Sequence, residues 1–503
     1  MTMNRRLFLQ LPGASMLAQT WKNGATMKAG FADTDITPEI GMEQPGGYGK
    51  SFHKALHDTC KARAAVFDDG RKRVALVGLD ALIVPRHLVV SIRRDIEAKC
   101  GIRGQNVMIG ASHSHSSGPT GMVQPGEYDG ASDLVKKLAY EHSSCADARY
   151  LKLVRERTVE AVCKADSTRA DLMLGVGSGI EEKAAFNRRF RMKNGRTFTH
   201  PGQGNAEIVK PAGPIDPEVG VIGAWTKGGN MAGVVVNYAC HATTSPGGIS
   251  ANWVYQLERT IRGVFGEQVV VVFLQGACGD ITQVDNLNPY AQPNGEESAW
   301  IVGGRVGAES VKVLLSMPRG ALAPVDAAVK MLKIPRRRPS PERLKAAYEM
   351  VRQDPQKADR TDWTFAKETV MLDHLIKVEP VLDVEVQAVQ VGPAVFVSNP
   401  AEYFVEFGLD IKAKSRFKYT YPVELANGCV GYVPTEEALS DSGGGYETRL
   451  TSYSNLEATA GRTIANAGIE LANRMAPGQP PIPPPAAPSR GAWTYGNVPA
   501  ETK

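Results

Sequence analysis

Long apolar runs are missing from this chain: nowhere do about twenty consecutive apolar residues, the length of a membrane-spanning helix, stand together. No transmembrane segment is expected. Cysteine is scarce as well. Its seven copies, at 60, 100, 145, 163, 240, 278 and 429, form no CxxC pair and mostly lie in apolar stretches, which excludes a disulfide framework and reads as buried free thiols. An excess of one charge is also lacking, since +5 is small for 503 residues and the basic side chains are scattered, apart from arginines 336–338 beside prolines. Nucleic acid is therefore not an expected partner. What remains, 43% hydrophobic and 22% charged, is an ordinary globular composition with material for one large domain or two.

The two ends stand apart from this body. NRRLFL at residues 4–9 resembles a twin-arginine export signal, followed by a short apolar stretch to Gln19. Residues 1–27 are set aside on that ground, and export to the periplasm or medium is expected. Pro12 and Gly13 interrupt the stretch, so a frayed cytoplasmic N-terminus is the alternative. From Pro477 the chain is proline-rich without a core-forming pattern, which reads as a disordered tail over 477–503. Residues 28–476 carry the fold.

Within them the chain alternates strand and helix. An apolar run over 73–84, a helix over 85–100 with Pro85 near its start and Gly101 past its end, and an apolar strand from Asn106 follow one another with short connections. Such a unit pairs its strands in parallel through a right-handed crossover and buries both sheet faces. A long helix over 133–165, a strand over 171–180, a helix over 252–266, a strand over 268–274, a helix near 297–317, a strand near 325–334, a helix over 341–354, a hairpin about Gly392 and Pro393 and a last helix over 455–475 complete the expectation. The fold class is α/β: a mixed, largely buried sheet flanked by helices, with the site at strand ends.

The most informative stretch is NVMIGASHSHSSGPTG, residues 106–121. An apolar strand runs there into two histidines spaced i, i+2, a spacing that on a strand puts both imidazoles on one face and the intervening serines on the other. Strand ends in α/β folds are where sites gather. Alone, an HxH reads equally well as two satisfied histidines in a polar turn. The segment 233–250, GVVVNYACHATTSPGGIS, repeats the arrangement and puts His241 at a strand end. A third strand discharges into QGACGDITQVDN, bringing Asp280 and Thr282 to the same edge, where a tight turn capped by Asp280 is the better account of the GD pair taken alone.

Taken in order, ASHSHSSGP, FNRR, NYACHATT, LQGACGDIT, NPAEYFVEFGLDIK, ANGCVGYVPT and GGYET resemble the catalytic domain of the neutral/alkaline, non-lysosomal ceramidases, in particular divergent bacterial members. The resemblance covers residues 28 to 477. It implies a zinc ion held by His113, His241, Glu402 and Tyr432, a borderline N and O donor set that suits this metal. It also implies that His115 and Arg188 contact the scissile carbonyl or the attacking water, with Tyr446 a further contact. Two positions depart from the family pattern: Thr282 stands where family members carry a serine implicated as nucleophile or substrate contact, and Asn252 stands where they tend to carry an aspartate. The immunoglobulin-like C-terminal domain of longer members has no counterpart before the chain ends.

The expected function is a zinc-dependent amidohydrolase acting on the N-acyl bond of ceramide or a related N-acyl lipid, with peripheral membrane contact to reach a lipid-like substrate. The alternatives are a metallohydrolase with a different amide or ester substrate, and a non-catalytic secreted protein that retains the fold.

Overall fold

The computed structural model describes residues 26–483, 485–488, 491, 495 and 499–502. The twin-arginine motif lies outside the described residues.

Eight strands form one mixed sheet in the order Val270–Gln275, Met231–Tyr238, Glu218–Trp225, Ala170–Ile180, Met27–Asp35, Lys61–Asp68, Arg73–Leu79, Val107–Ala111. Only its two outermost pairs are parallel. Each is a strand, helix, strand unit, with Arg86–Cys100 connecting one pair and Trp253–Phe265 the other. The two halves of the sheet meet through a short ladder, Met27 to Ala29 against Leu172 to Ala170, and fold onto one another. Strand alternation then gives the strands at the middle of the packing two buried faces. In Arg73–Leu79, for instance, Val74 and Leu76 join Phe273's neighbours Val272 and Leu274 in the space between the halves, while Ala75 and Val77 pack under helices Arg86–Cys100 and Ala148–Ser167. Helices Trp253–Phe265 and Gly295–Ser316 cover the opposite outer face through Leu257, Ile261, Val306 and Leu314. A second, four-stranded sheet, Val325–Pro335, Val381–Val391, Ala394–Ser398 and Tyr419–Val423, adds Val389, Phe396 and Tyr421 to the inner core.

Several elements differ from expectation. The strand that begins at Arg73 ends at Leu79. The long helix is two helices, Asp133–Tyr140 and Ala148–Ser167, and the second starts where Asp147 accepts the N–H groups of Arg149 and Tyr150 at 2.7 and 3.2 Å. The last helix spans Ala460–Arg474 and so starts later than its apolar pattern. Helix Arg360–Val378 was not foreseen, because its buried side includes Lys367, Glu368 and Thr369 and so breaks the apolar stripe.

Face-to-face packing of the sheet halves depends on one small residue. A Cβ on Gly78 would lie 2.2 Å from the Phe273 carbonyl oxygen, a backbone atom that cannot swing aside. Gly78→Ala should therefore destabilise the fold by about 1–3 kcal/mol or more, the range for overpacked cores. Urea unfolding followed by tryptophan fluorescence checks this, and an unchanged midpoint would contradict the close approach.

Candidate metal centre

The site assembles where the two parallel pairs end. In the first pair, strand Val107–Ala111 stops short of the histidines, because Ser112 and Ser114 donate their N–H groups to Leu79 and Ala81 at 2.8 and 3.1 Å and the backbone turns. His113 sits in this turn at φ 60°, a left-handed conformation uncommon for a residue with a Cβ. Its Nδ1 lies 3.0 Å from the Leu82 carbonyl oxygen. A carbonyl only accepts, so Nδ1 carries the proton and the Nε2 lone pair points the other way. His115 reaches the same point, its Nε2 3.2 Å from His113 Nε2.

The second pair does the same. His241 follows strand Met231–Tyr238, and its Nδ1 lies 2.7 Å from the carbonyl of Cys278, in the loop after the partner strand Val270–Gln275. Its tautomer is fixed in the same way. The three histidines present nitrogen atoms that all lie within 4.8 Å of one another.

A third parallel pair closes the centre. Ala401–Tyr403 and Gly431–Val433 run side by side with Glu402 opposite Tyr432, so both side chains leave the same face. Glu402 Oε2 stands 3.2 Å from His113 Nε2 and 3.2 Å from His241 Nε2. The Tyr432 hydroxyl is 2.6 Å from that of Tyr446, and Arg188 Nη2 donates to both, at 3.1 and 3.0 Å. Arg188 is held from behind, with Nε on Glu447 Oε1 at 2.8 Å and Nη2 on the Gly279 carbonyl at 2.7 Å.

These groups could hold a metal ion. His241 Nε2 and Glu402 Oε2 are buried and have no aligned hydrogen-bond partner, which is costly for polar atoms out of water. The two approaches of 3.2 Å to Glu402 Oε2, from His113 and His241, match the spacing of about 3.3 Å that donors on a tetrahedral zinc ion keep between themselves. Protonation suits the same purpose. Burial, with Arg188 and His113 adding to it, pushes His241 down to about 3, and burial with its two imidazole neighbours holds His115 well below the ordinary range. Burial opposes the charge of Glu402, yet His113 and His241 hold its carboxyl well below the usual carboxylate range. Burial also opposes a charge on His113, but the Glu402 carboxylate outweighs it and raises this one imidazole.

The overall fold was compared with known proteins. No protein-family model and no curated protein sequence matches the chain. Among solved structures, the neutral ceramidase from Pseudomonas aeruginosa superposes with a TM-score of 0.66 at 19% identity, over 92% of this chain and 77% of that one. A ceramidase complexed with C2 gives 0.65 at 18%, with the same coverage. The fold is that of a neutral ceramidase.

Within this neutral ceramidase fold, the residues singled out in the sequence do not all meet. His113, His115, Glu402, Tyr432 and Tyr446 line one cavity of about 50 Å3, together with Gly46, Tyr48, Leu82, Met122 and Tyr453. Thr282 is not among the lining residues. Its hydroxyl donates to Gln283 Oε1 at 3.2 Å, and Thr243 donates to the same oxygen at 3.0 Å. Asp280 caps instead of reacting: Oδ1 accepts the Val405 N–H at 2.9 Å and Oδ2 the Asn187 amide at 2.8 Å. Asn252 caps helix Trp253–Phe265 and accepts from Thr244. Gly46 and Glu447 were missed as site residues. A Cβ on Gly46, at φ 102°, would come within 2.2 Å of His115 Nδ1, and the run PGGYG is the sequence signal for such a close approach.

Because any proton on His113 Nε2 must leave before an ion is bound, the number of protons released when zinc is added to metal-free protein should rise as the pH falls into the raised titration range of this imidazole. The sign follows from the raised imidazole: affinity is full above its titration range and falls as the pH drops through it. Calorimetry in two buffers of different ionisation heat measures the release. Proton release that stays the same as the pH falls would contradict the pairing of His113 with Glu402.

Proposed function

We propose that the protein is a zinc-dependent amidohydrolase of the ceramidase type, which hydrolyses the N-acyl amide bond of ceramide or a related N-acyl lipid. The observation that carries this is the convergence of His113 Nε2 and His241 Nε2, each at 3.2 Å, on the buried Glu402 Oε2, with neither Glu402 Oε2 nor His241 Nε2 having an aligned hydrogen-bond partner. His113, His241 and Glu402 are assigned as ligands, with Tyr432, the cross-strand neighbour of Glu402, as the fourth. Zinc held there supplies Lewis acidity, polarising an amide carbonyl and acidifying water.

The chain's own groups do the rest. His115, kept neutral by burial and by its imidazole neighbours, can take a proton from the attacking water and return it to the leaving amine. Arg188 does not line the cavity, so its charge reaches the substrate through the hydroxyl of Tyr446, which it polarises by donating to its oxygen. That hydroxyl then stabilises negative charge developing on the carbonyl oxygen. Thr282 has its proton engaged by Gln283 and supports water, rather than a side chain, as the nucleophile.

Exposed Ile40 and Phe52 flank the glycine-rich loop over the cavity and suit contact with a lipid surface, where an exported enzyme would meet its substrate. The cavity volume favours a second reading for the substrate. A space of about 50 Å3 holds one or two water molecules. A short-chain amide or ester needs less displacement of Tyr48 and Met122 than a ceramide does, so a panel graded by chain length separates the two.

Metal analysis should find about one zinc per chain, as a mononuclear site requires, with loss of the ion in His113→Ala and His241→Ala. Unchanged metal in both variants would sink the ligand assignment. With a fluorogenic N-acyl sphingosine, His115→Ala should lower turnover about 10²–10⁴-fold, the range for a general acid–base group. Thr282→Val should keep most activity; near-complete loss with zinc intact would restore the hydroxyl as a nucleophile.

A further inference from the structure

Glu424 is fully buried, and its carboxylate faces donors from two segments that the metal centre needs. Oε2 accepts the Cys278 N–H at 2.9 Å and the Tyr403 N–H at 2.8 Å, while Oε1 accepts from the Cys278 thiol at 2.9 Å. Its own N–H is tied to the Gln275 carbonyl at 3.0 Å, at the end of the strand that leads to Cys278. Cys278 supplies the carbonyl that orients His241. The Tyr403 N–H belongs to the peptide that immediately follows Glu402. A second link runs beside it, from the Gly279 N–H to the Tyr403 carbonyl at 2.9 Å.

We infer that Glu424 is a positioning residue of the metal centre: a single oxygen, Oε2, fixes the loop that orients His241 against the strand that carries Glu402, and so sets the spacing of those two donors. This rests on the zinc reading given above and deepens it. Glu424 touches neither ligand side chain, and its effect passes through the Cys278 and Tyr403 peptides. Burial pushes its own pKa up to about 8, so what it supplies near neutrality is a placed acceptor more than a fixed charge.

The contrast between placement and charge gives the test. Glu424→Gln keeps the length of the side chain and can keep a carbonyl oxygen facing the two N–H groups, leaving its amide toward the weakly accepting sulfur. Glu424→Asp keeps the carboxylate but withdraws it by one methylene. Zinc ion alone is the probe, with affinity read by competition against a chromophoric chelator and folding checked by near-ultraviolet circular dichroism. Glu424→Gln should bind within about threefold of the wild type, whereas Glu424→Asp should bind about 10–100-fold more weakly, as for other residues that orient metal ligands.

Wild-type affinity in Glu424→Asp, or equal losses in both variants, would overturn the inference while leaving the zinc site standing. A wild-type protein that binds no zinc would overturn both. The His241 Nδ1 proton supplies a reading that does not need the aspartate variant to fold. In nuclear magnetic resonance spectra it should remain protected from exchange in wild type and Glu424→Gln alike, and its loss in the glutamine variant would also overturn the assignment.

Discussion

The structure depends on a hydrogen bond made twice. At the end of each of the two parallel pairs of the large sheet, a histidine following one strand donates its Nδ1 proton to a carbonyl in the loop after the other: His113 to Leu82 and His241 to Cys278. Parallel pairing makes this available, because it brings two strand exits side by side, where the chain leaves the ladder with carbonyls to spare. An acceptor on one ring nitrogen fixes the lone pair of the other, so both Nε2 atoms face inward without any metal to pull them. Glu402 then arrives on a third parallel pair and faces both. The resulting pocket gathers imidazole nitrogens and a carboxylate out of water, an arrangement that a cation stabilises.

The sequence made the meeting of His113 and His115 readable, though not for the physical reason first assigned. Alternation along a strand was the expectation, but the strand ends at Ala111 and His113 adopts a left-handed backbone. Two residues apart, the rings still converge, with centroids 4.7 Å apart, because the turn is pinned by Leu79 and Ala81 on one side and Ala242 on the other. No local pattern announces such tertiary hydrogen bonds. The split of the helix expected over 133–165 was hidden for the same reason. Its break contains neither glycine nor proline and is held by the Glu43 carboxylate accepting the Cys145 N–H at 2.8 Å.

What the sequence conveyed best was the strand, helix, strand units, whose apolar runs and helix caps are local signals. The mixed buried sheet flanked by helices followed from them. Its folding into two facing halves did not, since that turns on distant contacts such as Gly78 against Phe273. Asp280 shows how a polar residue at a strand end can be read either way. Its two oxygens hold Val405 and Asn187, which places the segment bearing Glu402 beside the one bearing Arg188. Capping and function are one role there, because Arg188 also donates its backbone N–H to the Asp280 carbonyl at 2.9 Å.

The departure at Thr282 takes its meaning from the same framework. A hydroxyl that attacks a carbonyl needs a base to take its proton and a clear line to the substrate. Thr282 instead donates to the side-chain oxygen of Gln283, which also accepts from Thr243, two residues after His241. Both hydroxyls therefore converge on one acceptor, and the bond from Thr243 ties the loop after His241 to the loop after Cys278. The added methyl of threonine restricts χ1, a liability for a nucleophile that must reorient but an advantage for a strut. The Thr282 hydroxyl is thus engaged by Gln283, the same side chain through which Thr243 holds the loop after His241.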